Sequence, residues 1–540
     1  VEEFIFGTLA TDELKLVHHR VARRGVHHRH NLTPGDPLPG QAVTVAVSIG
    51  PDVTADGVAC YYSVHNQEPA GSRGAASRGQ VIRLEPAGVA WDTLAWGYVA
   101  RWEGVLPPQP AGTIVRYRIS AWDGEHEIWG DWPEVDLAAE RAAAAFFRGE
   151  GLPETPPGDP SRGRTFAYSV DRLAPPEWAR RAIIYQIFVD RFYPGLGQDW
   201  RQTTELRGFC GGTLWGVAEK MGYVAALGAD CIWLTPIFCS PTHHGYDATD
   251  LSRVEPRLGG EEALSAVIHE AHARGIRVLL DLVCNHVSHQ HPFFIAAKAD
   301  PGSPYRDWFY FDDSDVGYRT FFGTPTMPKV NLGHPGACGW MIETALTWLR
   351  GFDIDGYRLD HANGPGPDFW TDFWTACKAE KPDCFCFGEV VDVPDAQRAY
   401  AGRLDGVLDF HTADALRRTY ALRTWSEDQL ARFLERHLAF FPADFLLPTF
   451  IDNHDMDRFL QLAGGDKDAL RRAVTAQMRL PGPPIIYYGT EVGLRQAAST
   501  TGGLGLHVNR VPMIWGADQD RELLAFCQTL IRERRAAEGI

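Results

Sequence analysis

The feature that most constrains this chain is an alternation of short apolar runs with amphipathic stretches between residues 183 and 488. IIYQIF is followed by TLWGVAEKMGYVAALG, ADCIWLTPIF by EEALSAVIHEAHARG, and IRVLLDLVCNH, after a gap, by GWMIETALTWLRG. FDIDGYRLD, CFCFGEV, LDGVLDF, LLPTFIDNHD and PPIIYYGTE continue the series, and DRELLAFCQTLIRERRAA closes it as a helix. Continuous apolar runs suit strands covered on both faces, as in a parallel sheet flanked by helices. Eight such units in about 350 residues predict an α/β fold of one kind, a closed (β/α)8 TIM barrel. Residues 287–335 separate the third strand from its helix, and a loop that long predicts a small inserted subdomain.

The barrel does not account for the whole chain. Residues 1–135 read as an N-terminal β-sandwich: QAVTVAVSIG, VACYYSVHN and TIVRYRISAWDG alternate apolar and polar residues between Gly, Pro, Asn and Asp. Residues 136–178 read as a helix (DLAAERAAAAFF) and a Pro/Gly-rich linker, and the catalytic barrel is expected over 179–540. The formal net charge of −17 disfavours nucleic acid and anionic membranes as partners. No apolar run reaches 18 residues, which excludes a spanning helix. The N-terminus lacks the basic and apolar regions of a secretory signal. The 10 cysteines are scattered, several in strand-like runs, with no CxxC pair. That pattern fits buried free thiols in a reducing cytoplasm.

In a barrel of this kind the working residues sit at the C-terminal ends of the strands. Strand three ends with Asp281, Asn285 and His286, strand four with Arg358 and Asp360, strand five with Glu389, and strand seven with Asp452, His454 and Asp455. Three carboxylates, Asp360, Glu389 and Asp455, are thus expected on one rim. Arg358 and Asp360 are two apart on a strand and share a face, so the guanidinium is expected to hold Asp360 ionised. Glu389 follows an apolar run with no cation beside it in sequence, so burial is expected to keep it protonated. An ionised carboxylate facing a protonated one is what glycoside hydrolysis requires, and Asp455 is placed to stabilise charge on the sugar. A lone strand-end Asp is more often a helix cap, and Arg358 with Asp360 alone can be a structural ion pair; the convergence of three argues against both.

These residues resemble the signature regions of the alpha-amylase family, glycoside hydrolase family 13. DLVCNH (281–286), GYRLD (356–360), FGEV (387–390) and FIDNHD (450–455) follow its order, and YQIFVDRF, ADCIWLTPIF, HHGYDATD and IIYYGTEVGL extend the likeness over most of 180–535. MPKVN (327–331) is similar to the MPKLN segment of neopullulanases, cyclomaltodextrinases and maltogenic amylases. The resemblance implies that Asp360 is the nucleophile, Glu389 the general acid/base and Asp455 the transition-state stabiliser. It implies that Tyr246 stacks on the sugar and that His286, Arg358 and His454 hydrogen-bond it, with Asp281 and Asn285 structural at the site. It further implies a retaining hydrolase of α-glucosidic, mainly α-1,4, bonds in maltooligosaccharides, cyclodextrins, pullulan or starch, and a homodimer formed through the N-terminal domain. No cofactor is required; Asn285 resembles the asparagine that binds structural calcium in many family members, an ion this subgroup often lacks.

The sequence departs from the subgroup in three places. HANG (361–364) stands where VANE is usual, so Gly364 replaces an acceptor-side carboxylate. Val391 and Asp392 follow the general acid where an aromatic and a His are common. The sequence stops at Ile540, just past the eighth barrel helix, so the usual C-terminal β-sandwich is expected either to be missing or to have been cut off. Rival readings are an α-glucan transglycosylase or glucosyl isomerase on the same barrel, a non-catalytic glucan-binding protein, and a metal hydrolase using His243, His244, Asp247 and His286. The last lacks HEXXH or HXH spacing.

Overall fold

Side-chain parity along the parallel strands decides where everything else lies. The structure, a computed structural model, describes residues 19–20, 22–64, 67–93, 95–131, 163–201, 206–501 and 505–538. Ile184–Ile187, Cys231–Leu234, Arg277–Val283, Gly356–Asp360, Phe385–Gly388, Gly406–Val407 and Ile485–Tyr487 form one seven-stranded sheet, every pair parallel. The sheet is closed by the segment around Leu446–Thr449, through single bridges Gly406↔Leu446 and Thr449↔Pro484. This eighth member, seventh in chain order, stays irregular because Pro448 has no N–H to give a ladder. Alternate residues enter different cores. Ile184, Trp233, Leu279, Phe385, Phe387 and Ile485 pack together inside the ring. Tyr185, Ile232, Leu280 and Leu359 pack outward among the helices. Asp281, Arg358 and Asp360 share the inward parity of Leu279, and they do so at the C-terminal end.

Helices alternate with the strands, among them Gly260–His272, Pro335–Phe352, Pro367–Glu380, Lys467–Met478 and Arg521–Glu538. Two start with proline at the first helical position, where a missing N–H costs nothing. Asp466 caps Lys467–Met478 by accepting from the amides of Asp468 and Ala469. Gly356 opens the fourth strand at φ 142°, and a Cβ there would overlap the Phe385 backbone, so only glycine allows the fourth and fifth strands this approach. Between the third strand and its helix, residues 287–334 carry a helix, Pro292–Ala299, and isolated antiparallel bridges at 309↔330, 311↔318 and 320↔328.

The N-terminal region is antiparallel. Val43–Ile49 alternates buried and half-buried residues, as its sequence predicts. Nine strands are linked, and Gln80–Asp92 joins their two halves: residues 80–84 pair with Tyr62–Val58, while 85–92 pair with Glu103–Gly97 across a bulge at Pro86/Gly88. Valines of Val43–Ile49 and Val115, Tyr117 and Ile119 of Thr113–Asp123 meet in one core. Part of the 136–178 reading needs correction. Phe166–Val170 is not linker but a strand paired with Thr113–Tyr117. The helix expected over 136–147 lies outside the described residues.

The two regions meet on the helix Pro367–Glu380. Asp368 accepts from the Ala167 amide at 2.8 Å and pairs with His30 Nε2 at 2.9 Å and Arg164 Nε at 3.0 Å. One turn on, Asp372 takes Arg116 through both oxygens, at 2.8 and 2.9 Å. Among the described residues no helix is long and apolar enough to cross a membrane. All ten cysteines are free thiols.

Candidate active site

At the centre of the barrel mouth lies Arg358, fully buried. Its NH1 donates to Asp281 at 2.9 and 3.0 Å and to Asp360 at 2.9 Å. Its NH2 lies 2.9 Å from Glu389 Oε1, an ion pair off the N–H axis rather than a hydrogen bond. The Glu389 carboxyl accepts instead from the His361 amide, at 3.0 Å on Oε2. Asp360 is 6% and Glu389 9% exposed, so both face the mouth through a small opening. Asp455 is more open, with its side chain 24% exposed. Its two oxygens meet His454 Nε2 at 2.9 Å and Arg510 NH2 at 2.7 Å.

A second layer holds this set in place. Asp281 Oδ2 accepts from Trp233 Nε1 and from the Tyr246 hydroxyl, each at 3.0 Å. His454 lies parallel to Tyr246, with ring centroids 5.4 Å apart and 1° between planes. The Asp455 carboxylate requires a proton on His454 Nε2, so Nδ1 is the acceptor and Gln186 Nε2 donates to it at 2.7 Å. His286 Nε2 donates to the Tyr246 carbonyl at 3.0 Å, Asn285 Nδ2 meets its Nδ1 at 3.2 Å, and its ring stacks on Phe321. Thus Tyr246, His286, Arg358, His454, Asp281 and Asn285 all gather at the mouth with the three carboxylates. His286 and His454 already spend both ring nitrogens on protein partners, whereas Arg358 keeps Nε and NH2 without a directed hydrogen bond.

The charges differ from the sequence expectation. Burial pushes Asp360 up to about 7; Arg358 opposes this, and the neighbouring Asp281 and Asp455 add to it. Asp360 is therefore not simply held ionised by its arginine, because three carboxylates share the guanidinium and burial outweighs one cation. Glu389 also rises to about 7, by burial first, against the pull of Arg358 and the His361 amide. It does have a cation beside it: Arg358 is adjacent in space though distant in sequence. The two carboxyls differ in what holds them. Asp360 receives a directed hydrogen bond from the guanidinium and Glu389 does not, so a shared proton is better placed on Glu389. Asp455 goes the other way: burial raises it, but His454 and Arg510 pull it well below the usual carboxylate range. Burial lowers His454 to about 4 and His286 to about 3, so both are neutral near pH 7.

Several participants carried no legible signal. Arg510, Trp233, Gln186 and the His361 amide reach the site from separate loops and strands. Only Gln186 could have been noticed, as a polar residue in an otherwise apolar strand. Gly364 has a spatial reason: a Cβ there would overlap Asn285 Oδ1, so the residue usual in VANE has no room beside this asparagine. Asn285 Oδ1 is buried without a hydrogen-bond partner. Calcium needs six to eight oxygen ligands, and among the described residues no three His, Cys, Asp or Glu groups converge to hold a metal. One amide oxygen does not make a calcium site. His243, His244 and Asp247 are neighbours, with the two rings 5.5 Å apart and His244 Nδ1 3.9 Å from Asp247, but they form no metal-holding group among the described residues: Asp247 accepts from Ser240 Oγ at 2.8 Å, and His243 packs against Phe188 and Phe209.

A closed parallel barrel with carboxylates from three strand ends around one buried arginine defines the class of the site: a carboxylate cluster at the mouth of a (β/α)8 barrel. The chain belongs to the alpha-amylase family, whose catalytic domain ("Alpha amylase, catalytic domain") matches residues 186–326 and 311–527. It is 38% identical over 371 residues to "Alpha-amylase 2" of Dictyoglomus thermophilum, covering 68% of this chain and 65% of that one. It is 34% identical over 389 residues to a cyclomaltodextrinase of Geobacillus thermopakistaniensis, again covering 68% and 65%. To neopullulanase 2 of Thermoactinomyces vulgaris it is 35% identical over 441 residues, covering 77% and 70%. The chain thus spans slightly under two thirds of the length of the first two relatives. Among solved structures, a cyclomaltodextrinase superposes with a TM-score of 0.64 at 27% identity, over 95% of this chain and 84% of that one.

Proposed function

We propose that this chain is a retaining glycoside hydrolase acting on α-glucosidic, mainly α-1,4, bonds. The observation that carries the reading is the arrangement of Asp360 and Glu389 on one guanidinium, with a directed hydrogen bond to the first and an off-axis ion pair to the second. Such bridging suits the ~5–5.5 Å carboxyl separation of direct attack better than the ~6.5–9.5 Å that leaves room for a water. Glu389 gives its proton to the glycosidic oxygen as the bond to the anomeric carbon breaks. Asp360 attacks that carbon and forms a glucosyl ester. Water, deprotonated by Glu389, then displaces Asp360 and restores both groups. Asp455, kept ionised by His454 and Arg510, opposes the positive charge that develops on the ring. Tyr246 offers a ring face to the sugar. His286, Arg358 and His454 keep the sugar hydrogen bonds that the family resemblance implies, the two histidines by sharing a nitrogen already bonded to protein and Arg358 through NH2, which has no directed hydrogen bond.

Relatives named cyclomaltodextrinase, neopullulanase and intracellular maltogenic amylase support maltooligosaccharides, cyclodextrins, pullulan or starch as substrates. We further read residues 1–135, with the strand 166–170, as a β-sandwich, because Gln80–Asp92 passes from one ladder to another at a bulge, as corner strands do. Residues 179–540 are then the catalytic barrel and 287–335 its inserted subdomain. The free thiols fit a cytoplasmic protein, and a homodimer is proposed from the subgroup resemblance. The test is release of reducing sugar from cyclodextrin, pullulan, starch and maltotriose by the protein and by Asp360→Asn. Hydrolysis with α-anomeric product that vanishes in the variant is expected; an undiminished rate in Asp360→Asn overturns the mechanism. Products longer than maltotriose would favour a transglycosylase on the same barrel.

A further inference from the structure

Two non-glycine residues near the site adopt left-handed backbone conformations, and they touch. Phe322, in the insertion, has φ 44° and ψ 40°; His361, the residue after Asp360, has φ 40°. Histidine visits this region more readily than most residues, but a phenylalanine there is an outlier that its surroundings must hold. The two rings lie 5.2 Å apart. Phe321 completes the contact, edge-on to His361 at 5.0 Å and stacked on His286 at 4.6 Å. The main chain beyond the nucleophile brackets Glu389 on two sides. The His361 amide donates to its carboxyl at 3.0 Å, and the Ala362 amide donates to its carbonyl at 2.8 Å.

We propose that Phe321 and Phe322 clamp His361 in its left-handed conformation, and that this conformation brings the Ala362 amide onto the Glu389 carbonyl and so leaves the His361 amide to the Glu389 carboxyl, making the insertion a positioning element for the acid/base. The proposal deepens the glycosidase reading and rests on it. With a regular extended residue after the strand, Ala362 would leave the Glu389 carbonyl, the His361 amide would take that carbonyl in a continued ladder, and the carboxyl would keep only the misdirected approach of Arg358. A fixed amide favours the ionised carboxyl and offsets burial, so that Glu389 can both give a proton and take one back. The charged and titratable groups around Glu389 are Arg358 and Asp360 from the fourth strand, Asp281 behind Arg358, Asp455 with its His454 and Arg510, and the His361 ring itself.

The test separates the amide from the imidazole. Glycine adopts φ near +40° without strain, so His361→Gly deletes the ring and keeps the amide; His361→Val opposes the conformation. Phe322→Ala keeps the imidazole and removes the clamp. The readout is the alkaline limb of kcat/KM against pH on maltotriose, where Glu389 must be protonated. Losing a donor to the carboxylate raises its pKa, so Phe322→Ala and His361→Val are expected to move that limb up by about one pH unit. His361→Gly should leave it within about 0.3 unit of the parent. If His361→Val does not fold, Phe322→Ala and His361→Gly decide between them. An unmoved limb in Phe322→Ala, or a shift in His361→Gly as large as in the others, overturns the proposal. Infrared difference titration of the Glu389 carboxyl, assigned with Glu389→Gln, reads the same shifts without turnover. Lack of activity in the parent therefore sinks the glycosidase reading alone, and unshifted carboxyl titration sinks the clamp alone.

Discussion

Arg358→Met is the perturbation on which the account of the site is most exposed. The guanidinium is fully buried and meets Asp281, Asp360 and Glu389 at about 3 Å. Methionine fills much of its volume with no charge and no donor. Removing one partner of a buried ion pair costs ~3–5 kcal/mol when the remaining charges cannot adapt. Here they can adapt by keeping protons, which makes the cost depend on pH. In the parent, Asp281 lies at about 6 and Asp360 and Glu389 at about 7, all above their usual 3.8 to 4.5, burial being the main cause. Groups raised in this way contribute stability that is fully present below about pH 4 and is lost as the pH rises through 6 to 7. Without Arg358 their values climb further. Each carboxyl that then stays protonated where the parent's is ionised adds ~1.4 kcal/mol of deficit per pH unit. The deficit of Arg358→Met, measured by urea unfolding across pH 5.5 to 8.5, should reach ~3–5 kcal/mol at the alkaline end and shrink toward the acid end. A deficit that stays constant across that range, or is below ~1 kcal/mol at pH 8.5, would refute the idea that this arginine holds three ionisable carboxyls together.

Other substitutions probe separate links. Arg510→Met removes one of the two groups that hold Asp455 ionised; stability from a depressed carboxylate is present above its usual 3.8 and lost as pH falls through the folded value. The Asp455 carboxyl itself should therefore titrate about one unit higher, read by infrared difference titration assigned with Asp455→Asn; an unmoved titration would mean that His454 alone holds it ionised. Gly364→Ala should cost ~1–3 kcal/mol through the clash with Asn285, read as a lowered melting temperature. Adding Asn285→Gly should recover part of the loss, and an additive double variant would remove the steric reason for this glycine. Asp368→Ala leaves His30 and Arg164 without their carboxylate at the junction of the two regions. A loss of ~2–4 kcal/mol is expected, with faster proteolysis between the N-terminal sheet and the barrel; an unchanged digestion rate would mean the junction is held by other contacts.

How far the site was legible follows from sequence distance. Arg358 and Asp360 are two residues apart on an extended run, and period-two geometry alone puts them on one face. The convergence of Glu389 and Asp455 with them followed from counting strands, because strand ends in a closed barrel share a rim. The charge state did not follow. Whether Asp360 is ionised depends on burial and on how many carboxylates crowd one cation, and neither is written near residue 360. The strand Phe166–Val170 was hidden for a related reason: FAYSV sits after a Pro/Gly-rich stretch, and its pairing partner lies some 50 residues upstream. The barrel segment at 446–449 reads as a strand yet forms only bridges, since the proline that marks it also removes a ladder donor.

By itself, the order of residues determined the repeating strand–helix architecture and the rim on which the three carboxyl groups gather, because these rest on local periodicity and on counting. Folding decided which partners those groups meet. Arg510 reached Asp455, Gln186 met the Nδ1 of His454, the His361 amide met the Glu389 carboxyl, and one arginine was shared by three acids. Those choices depend on distances across the barrel and on how thoroughly water is excluded, which exist only once the chain has closed on itself.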